Sequence, residues 1–136
     1  MSRRGPRARR AGTGAAAAAL LAALLAACAA APSDPTLPTI ARDHAMSPYA
    51  MHEKCRRMAI GERIEYHFTS TFPVDFNIHY HEAGAVVMPI VREKSLEDGG
   101  VFVAGLPQDY CLMWEAGPAG ATLDYRLRLR PPAAAQ

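Results

Sequence analysis

Val74-Asp75-Phe76-Asn77-Ile78-His79-Tyr80-His81 is the stretch whose reading decides the fold. Apolar and polar residues alternate strictly across it, which is the period of a β-strand with one buried and one wet face. Val74, Phe76, Ile78 and Tyr80 share the face that asks for a second layer to pack on. Asp75, Asn77, His79 and His81 share the other, where the polar chemistry of the chain is most concentrated.

The same texture extends outward. Ile64, Tyr66 and Phe68 alternate with Glu65, His67 and Thr69, and Thr71-Phe72-Pro73 ends that run, so segments 63–70 and 74–81 read as the two arms of a hairpin. Glu82-Ala83-Gly84 is a turn, and Ala85 to Val91 is an apolar run in which Pro89 argues for an edge or a strand end. Glu93 to Gly100 is charged and reads as a loop. Val101-Phe102-Val103, Tyr110-Leu112-Trp114 and Leu123-Tyr125-Leu127-Leu129 supply further short strands, separated by turns around Pro107 and Gly117-Pro118-Ala119-Gly120. Arg42 to Met58 has no clear period and reads as a loop or short helix interrupted by Pro48. Some six short strands with turn signals between them predict an all-β domain, an antiparallel β-sandwich over residues 46–132 followed by a disordered tail at 133–136. The expected core is Ile64, Tyr66, Phe68, Val74, Phe76, Ile78, Val101, Val103, Leu112, Trp114, Leu123, Tyr125 and Leu127.

The N-terminus is of a different kind. Arg3, Arg4, Arg7, Arg9 and Arg10 precede a run, Ala15 to Ala27, made only of Ala and Leu. A basic segment followed by a short apolar one reads as a cleaved signal helix over 1–27, too short to cross a bilayer core of about 30 Å with ease. Leu25-Ala26-Ala27-Cys28 resembles the lipobox of bacterial lipoproteins. That resemblance implies acylation of Cys28 and a flexible tether over 28–45, with three prolines by residue 38. The alternative is simple cleavage near Ala29–Ala31. In lipoproteins an Asp after the lipidated Cys retains the protein at the inner membrane. Ala29 stands there instead, which implies the periplasmic face of the outer membrane.

Charge depends on this division. The whole chain holds 15 basic and 13 acidic residues; without the five signal arginines, ten cations face thirteen acids, a net charge of −3. Such a domain has no electrostatic reason to bind nucleic acid. With Cys28 given to lipid, Cys55 and Cys111 remain. In an exported protein an even pair is most simply a disulfide, against the alternative of two separate thiols.

Gly99-Gly100-Val101-Phe102 together with Tyr110-Cys111-Leu112-Met113-Trp114 resembles the GOLD (Golgi dynamics) domain. The similarity runs over about residues 55–130, and it departs where Asp109 precedes the Tyr and the Tyr adjoins the Cys. The resemblance implies a compact jelly-roll-like β-sandwich used as an interaction module. In GOLD cargo receptors an early Cys pairs with the one on this late strand, the places Cys55 and Cys111 occupy. An immunoglobulin-like sandwich is the other fold that a Tyr before a Cys on a late strand suggests.

The function these residues point to is non-catalytic. Ser47, Ser70 and Ser95 sit in no G-x-S-x-G context, a bridged Cys111 is no nucleophile, and no phosphate loop or calcium loop occurs. The face of Asp75, Asn77, His79 and His81 suits hydrogen bonding to a protein or glycan partner in the cell envelope. The alternative is a copper or zinc site: His79 and His81 lie about 7 Å apart on one strand face, and a 63–81 hairpin would bring His67 alongside. The row Arg126, Arg128, Arg130 reads as a solvated face that discourages edge pairing, or as a contact for anionic head groups.

Overall fold

A computed structural model describes residues 37–134. The signal segment, Cys28, the first half of the tether and the last two residues lie outside the described residues. Six strands form: β1 (Thr39–Met46), β2 (Met51–Met58), β3 (Arg63–Glu82), β4 (Ala85–Val103), β5 (Gln108–Ala116) and β6 (Ala121–Arg130). All pairings are antiparallel, and the sheet runs β1-β6-β3-β5-β2 with β4 also paired to β3. The fold is all-β, as the alternation predicts.

One strand makes the two layers. Segments 63–70 and 74–81 are not a hairpin but successive halves of β3, which bends at Thr71–Pro73. Residues 63–70 pair with β6, and residues 74–79 pair with β5. Along its other edge β3 pairs with β4 over nearly its whole length, with register shifts around Val74. The sheet therefore folds on itself. One layer holds β1, β6 and the first half of β3; the other holds β2, β5 and the second half. Proline at the bend has no N–H to give a ladder, so the pairing breaks there at little cost.

The inward faces meet in an aromatic core. Phe76 lies 5.2 Å from Tyr66, 4.9 Å from Phe68 and 5.4 Å from Trp114, ring centroid to ring centroid. Trp114 of β5 stacks on Tyr125 of β6 at 4.9 Å, and Phe102 of β4 meets Tyr110 of β5 at 4.9 Å. These separations fall in the range where ring quadrupoles add to burial. Trp114, Phe68, Ile78 and Leu123 are fully enclosed.

Three expectations need correction. Val101 and Val103 are 56% and 52% exposed, and Phe102 between them is the buried residue. The phase is easily misread because valine carries the stronger strand signal, while the wider ring is what reaches the core. Arg42–Met58 holds no helix: it is the end of β1, a short turn over 47–50 and all of β2, and β1 begins inside the stretch assigned to the tether. Glu93–Gly100 belongs to β4, an edge strand whose side chains are mostly in solvent. The expected disulfide is present: Cys55 and Cys111 face each other across β2 and β5 and are bonded.

Phe76→Ala should cost about 3–5 kcal/mol, since three rings lose their common neighbour and the rigid β3 backbone limits collapse. Urea unfolding of the variant measures this; a loss below about 1 kcal/mol would contradict the packing described.

Candidate functional site

The bend of β3 leaves a groove at one end of the sandwich. Ser70 Oγ donates to the Phe72 carbonyl at 2.8 Å, and Thr122 N donates to Thr71 Oγ1 at 2.8 Å, which fixes the bend. Phe72 points away from both layers and is 51% exposed. Opposite it, the β1–β2 loop holds Tyr49, 68% exposed, with a left-handed backbone at φ 59°. Tyr49 N donates to the Gly117 carbonyl at 3.3 Å and Ala116 N to the Ala50 carbonyl at 2.9 Å, tying that loop to the β5–β6 turn. Gly120 closes the turn at φ 70°, where an added Cβ would lie 2.6 Å from the Met46 carbonyl oxygen, so no other residue fits.

The groove encloses about 450 Å³ and is lined by Tyr49, Phe72, Pro73 and the 117–120 turn, with Asp75, Glu115 and Lys94 at its polar side. Asp75 and Glu115 stand directly opposite on β3 and β5. Like charges in that position repel in an empty sheet and favour a ligand that brings hydrogen-bond donors. Asp75 Oδ1 also accepts from the Lys94 backbone N at 2.8 Å, where β4 takes a left-handed φ of 50°. A volume of this size is typical of small-ligand clefts.

Of the four residues expected on one wet face, Asp75 and His81 are exposed, but Asn77 and His79 are buried at 8% and 5% exposure. They do lie on the outer side of the layer. Their polar atoms are turned to each other and to Glu53 of the neighbouring β2. His79 is paired with Cys111 and Asn77 with Met113. The His79 ring is held at both nitrogens: Nδ1 is 2.7 Å from Asn77 Oδ1, and Nε2 is 3.1 Å from Glu53 Oε1. The His81 ring lies edge-on at 5.3 Å. The four residues thus divide between two places, Asp75 in the groove and the other three beside the disulfide.

His67 belongs to neither. It sits in the first half of β3, between Gly99 and Arg126, with Nε2 3.0 Å from Glu97 Oε1. A site of His67, His79 and His81 would have required the hairpin that β3 does not form. Arg130 is bonded to Glu65 at 2.9 Å, and its guanidinium holds that carboxyl below the usual carboxylate range. β1 covers the other edge of β6 only as far as Leu127, so Arg126 is paired on both sides while Arg128 and Arg130 flank an open stretch of that edge.

Sequence reasoning misses Tyr49 and Phe72, whose only signal is an aromatic beside a proline-containing break. It also misses His44 and His52. These come from β1 and β2, the strands at the two ends of the β1-β6-β3-β5-β2 path, and their rings meet at 4.0 Å. His52 Nε2 lies 3.1 Å from the Tyr125 hydroxyl, which connects this seam to Trp114 through the Tyr125 stack. Burial pushes the Tyr125 hydroxyl up from its ordinary value, so it meets the imidazole as a hydroxyl and not as a phenolate. The chain matches no protein-family model and no curated protein sequence.

Burial, then the His44 and Lys54 charges, hold His52 below its ordinary value of 6.5. The folded state therefore binds fewer protons here than the unfolded chain, and stability falls as pH drops below about 6.5 toward the lowered folded value. Melting temperature measured from about pH 7 to pH 5 should fall less steeply in His52→Gln than in the parent. Parallel curves would show that this imidazole is not the group involved.

Proposed function

We propose that the protein is a non-catalytic binding module of the cell envelope, anchored through lipid on Cys28, and that its groove takes an envelope glycan. The observation that carries this reading is the groove between Tyr49 and Phe72. Two exposed aromatic rings offer flat apolar surfaces, the kind a sugar's C–H face covers. Asp75 and Glu115 are acceptors only and suit a ligand rich in hydroxyl donors. The GOLD-like segment 99–114 supports an interaction role without adding a ligand. The lipobox-like Leu25 to Cys28 supports the anchor, and the bridged pair of cysteines suits an oxidising compartment.

Nuclear magnetic resonance titration with N-acetylglucosamine oligosaccharides, run beside a proline-rich decapeptide, tests the ligand class. Shifts should concentrate at Tyr49, Phe72 and Asp75 with the oligosaccharide, and Phe72→Ala should weaken binding on the order of tenfold, about 1.4 kcal/mol. Response to the peptide alone, or to neither probe, would discard the glycan.

Membrane fractionation tests the anchor. Cys28→Ser should move the protein from the membrane to the soluble fraction, since each buried acyl CH₂ contributes about 0.8 kcal/mol to anchorage. An unchanged distribution would exclude lipid at this residue.

A further inference from the structure

We infer that the Cys55–Cys111 bridge masks a metal site: with the bridge reduced, the two thiolates, His79 Nε2 and Glu53 Oε1 hold one Zn²⁺. This stands apart from the groove and does not depend on it. Cys55, Cys111 and His79 form one cross-strand row over β2, β5 and β3, so three side chains of the right kind leave the same face side by side. Glu53, one outward position before Cys55 on β2, reaches across to the imidazole. The ligand atoms of Glu53, His79 and Cys111 all lie within 4.8 Å of one another. A tetrahedral Zn²⁺ with bonds of about 2.0–2.3 Å sets its ligand atoms roughly 3.3–3.8 Å apart, so Glu53, His79 and Cys111 need only small shifts, while the Cys55 sulfur swings out from its bond to Cys111 by a χ1 adjustment.

The surroundings fit as well as the ligands. Metal-bound histidines commonly donate their second ring N–H to an oxygen that fixes the ring and its tautomer. Asn77 Oδ1, 2.7 Å from Nδ1, is placed to do that, and it leaves Nε2 as the ring nitrogen beside Glu53. Both His79 and Cys111 are buried, at 5% and 7% exposure. Two sulfurs, one imidazole and one carboxylate select a borderline-soft divalent cation of tetrahedral preference, which describes Zn²⁺ better than Mg²⁺ or Ca²⁺.

The exchange balances with a dithiol protein as reductant. Its two thiols become a disulfide, the Cys55–Cys111 bond takes up the two electrons and two protons, and two thiols result. Zn²⁺ then replaces the two thiol protons, which pass to solvent along with any proton held between Nε2 and Glu53. The strands need not separate, because their ladder is independent of the bridge.

The test uses the full chain carrying Cys28→Ser, so that this thiol adds no ligand. Anaerobic protein reduced with a phosphine is titrated with Co²⁺ and then Zn²⁺. A thiolate-to-cobalt charge-transfer band and tetrahedral d–d bands should appear in the reduced form and be absent from the oxidised form. Zn²⁺ should displace Co²⁺ at one equivalent and raise the melting temperature of the reduced protein. His79→Ala and Glu53→Gln should each weaken Zn²⁺ binding by about tenfold or more. The inference fails if the reduced and oxidised forms give the same spectrum, or if His79→Ala binds as the parent does. It fails equally if reduction unfolds the chain and Zn²⁺ does not restore its near-ultraviolet circular dichroism.

Discussion

Phe68 and Phe76 lie on the same strand, eight residues apart in sequence, and their rings meet at 4.9 Å across the core. A straight strand would hold them more than 25 Å apart, at roughly 3.3 Å per residue. The bend at Thr71–Pro73 is therefore the constraint on which the other features depend. It turns one sheet into two layers, and it parts β5 and β6, joined by the 117–120 turn but not paired to each other, so that each tracks its own half of β3. Proline supplies the break because it has no N–H to lose. The hydroxyls of Ser70 and Thr71 engage backbone groups that the interrupted ladder leaves free.

The bend also decides where chemistry can sit. At the corner the strand passes from one layer to the other, and a large apolar residue there has no layer to enter. Phe72 is that residue. Its exposure beside Tyr49 comes from the same geometry that buries Phe68 and Phe76. The centre of the second layer behaves in the opposite way. There outward-pointing Asn77 and His79 are buried, and they satisfy each other and Glu53. A buried imidazole with both nitrogens partnered is costly to disturb. The disulfide beside it removes chain entropy from the unfolded state, worth about 4 kcal/mol for a loop of this size in the chain-entropy model. In a domain this small that is a large part of the net stability.

How much of this is legible in the residues alone depends on burial. Central strands announce themselves: Val74 to Tyr80, Tyr110 to Trp114 and Leu123 to Leu127 alternate cleanly because one face of each is sealed. Edge strands do not. β2 reads Met-His-Glu-Lys-Cys-Arg-Arg-Met, with only Met58 buried, and the 93–100 segment of β4 resembles a charged loop because its side chains are nearly all in solvent. Hydrogen bonding to β5 and β3 makes them strands, and that pairing leaves no period in the sequence. The cysteine pair is legible because counting suffices. The histidines are legible as polar residues on an outward face but not as two separate environments. Their separation depends on whether Phe72-Pro73 ends a strand or bends it, and local pattern is the same in both cases.

The distinction between ending and bending lies in the pairing partners of the residues after the proline. A hairpin across 71–73 would pair 63–70 with 74–81 and leave both remaining edges for β5 and β6. The bent strand instead spends one whole edge on β4, a 19-residue partner. Only a partner that long can bridge the corner and keep both layers in one sheet. Its length is what exposes β4, and β4 carries the devices that blunt a free edge: Pro89, the left-handed Lys94, register shifts opposite Val74 and Ile78, and the Arg92 guanidinium on the Val91 carbonyl. The long charged stretch that resembles a loop is thus the structural counterpart of the bend, and its polarity is the condition on which so long an edge stays soluble.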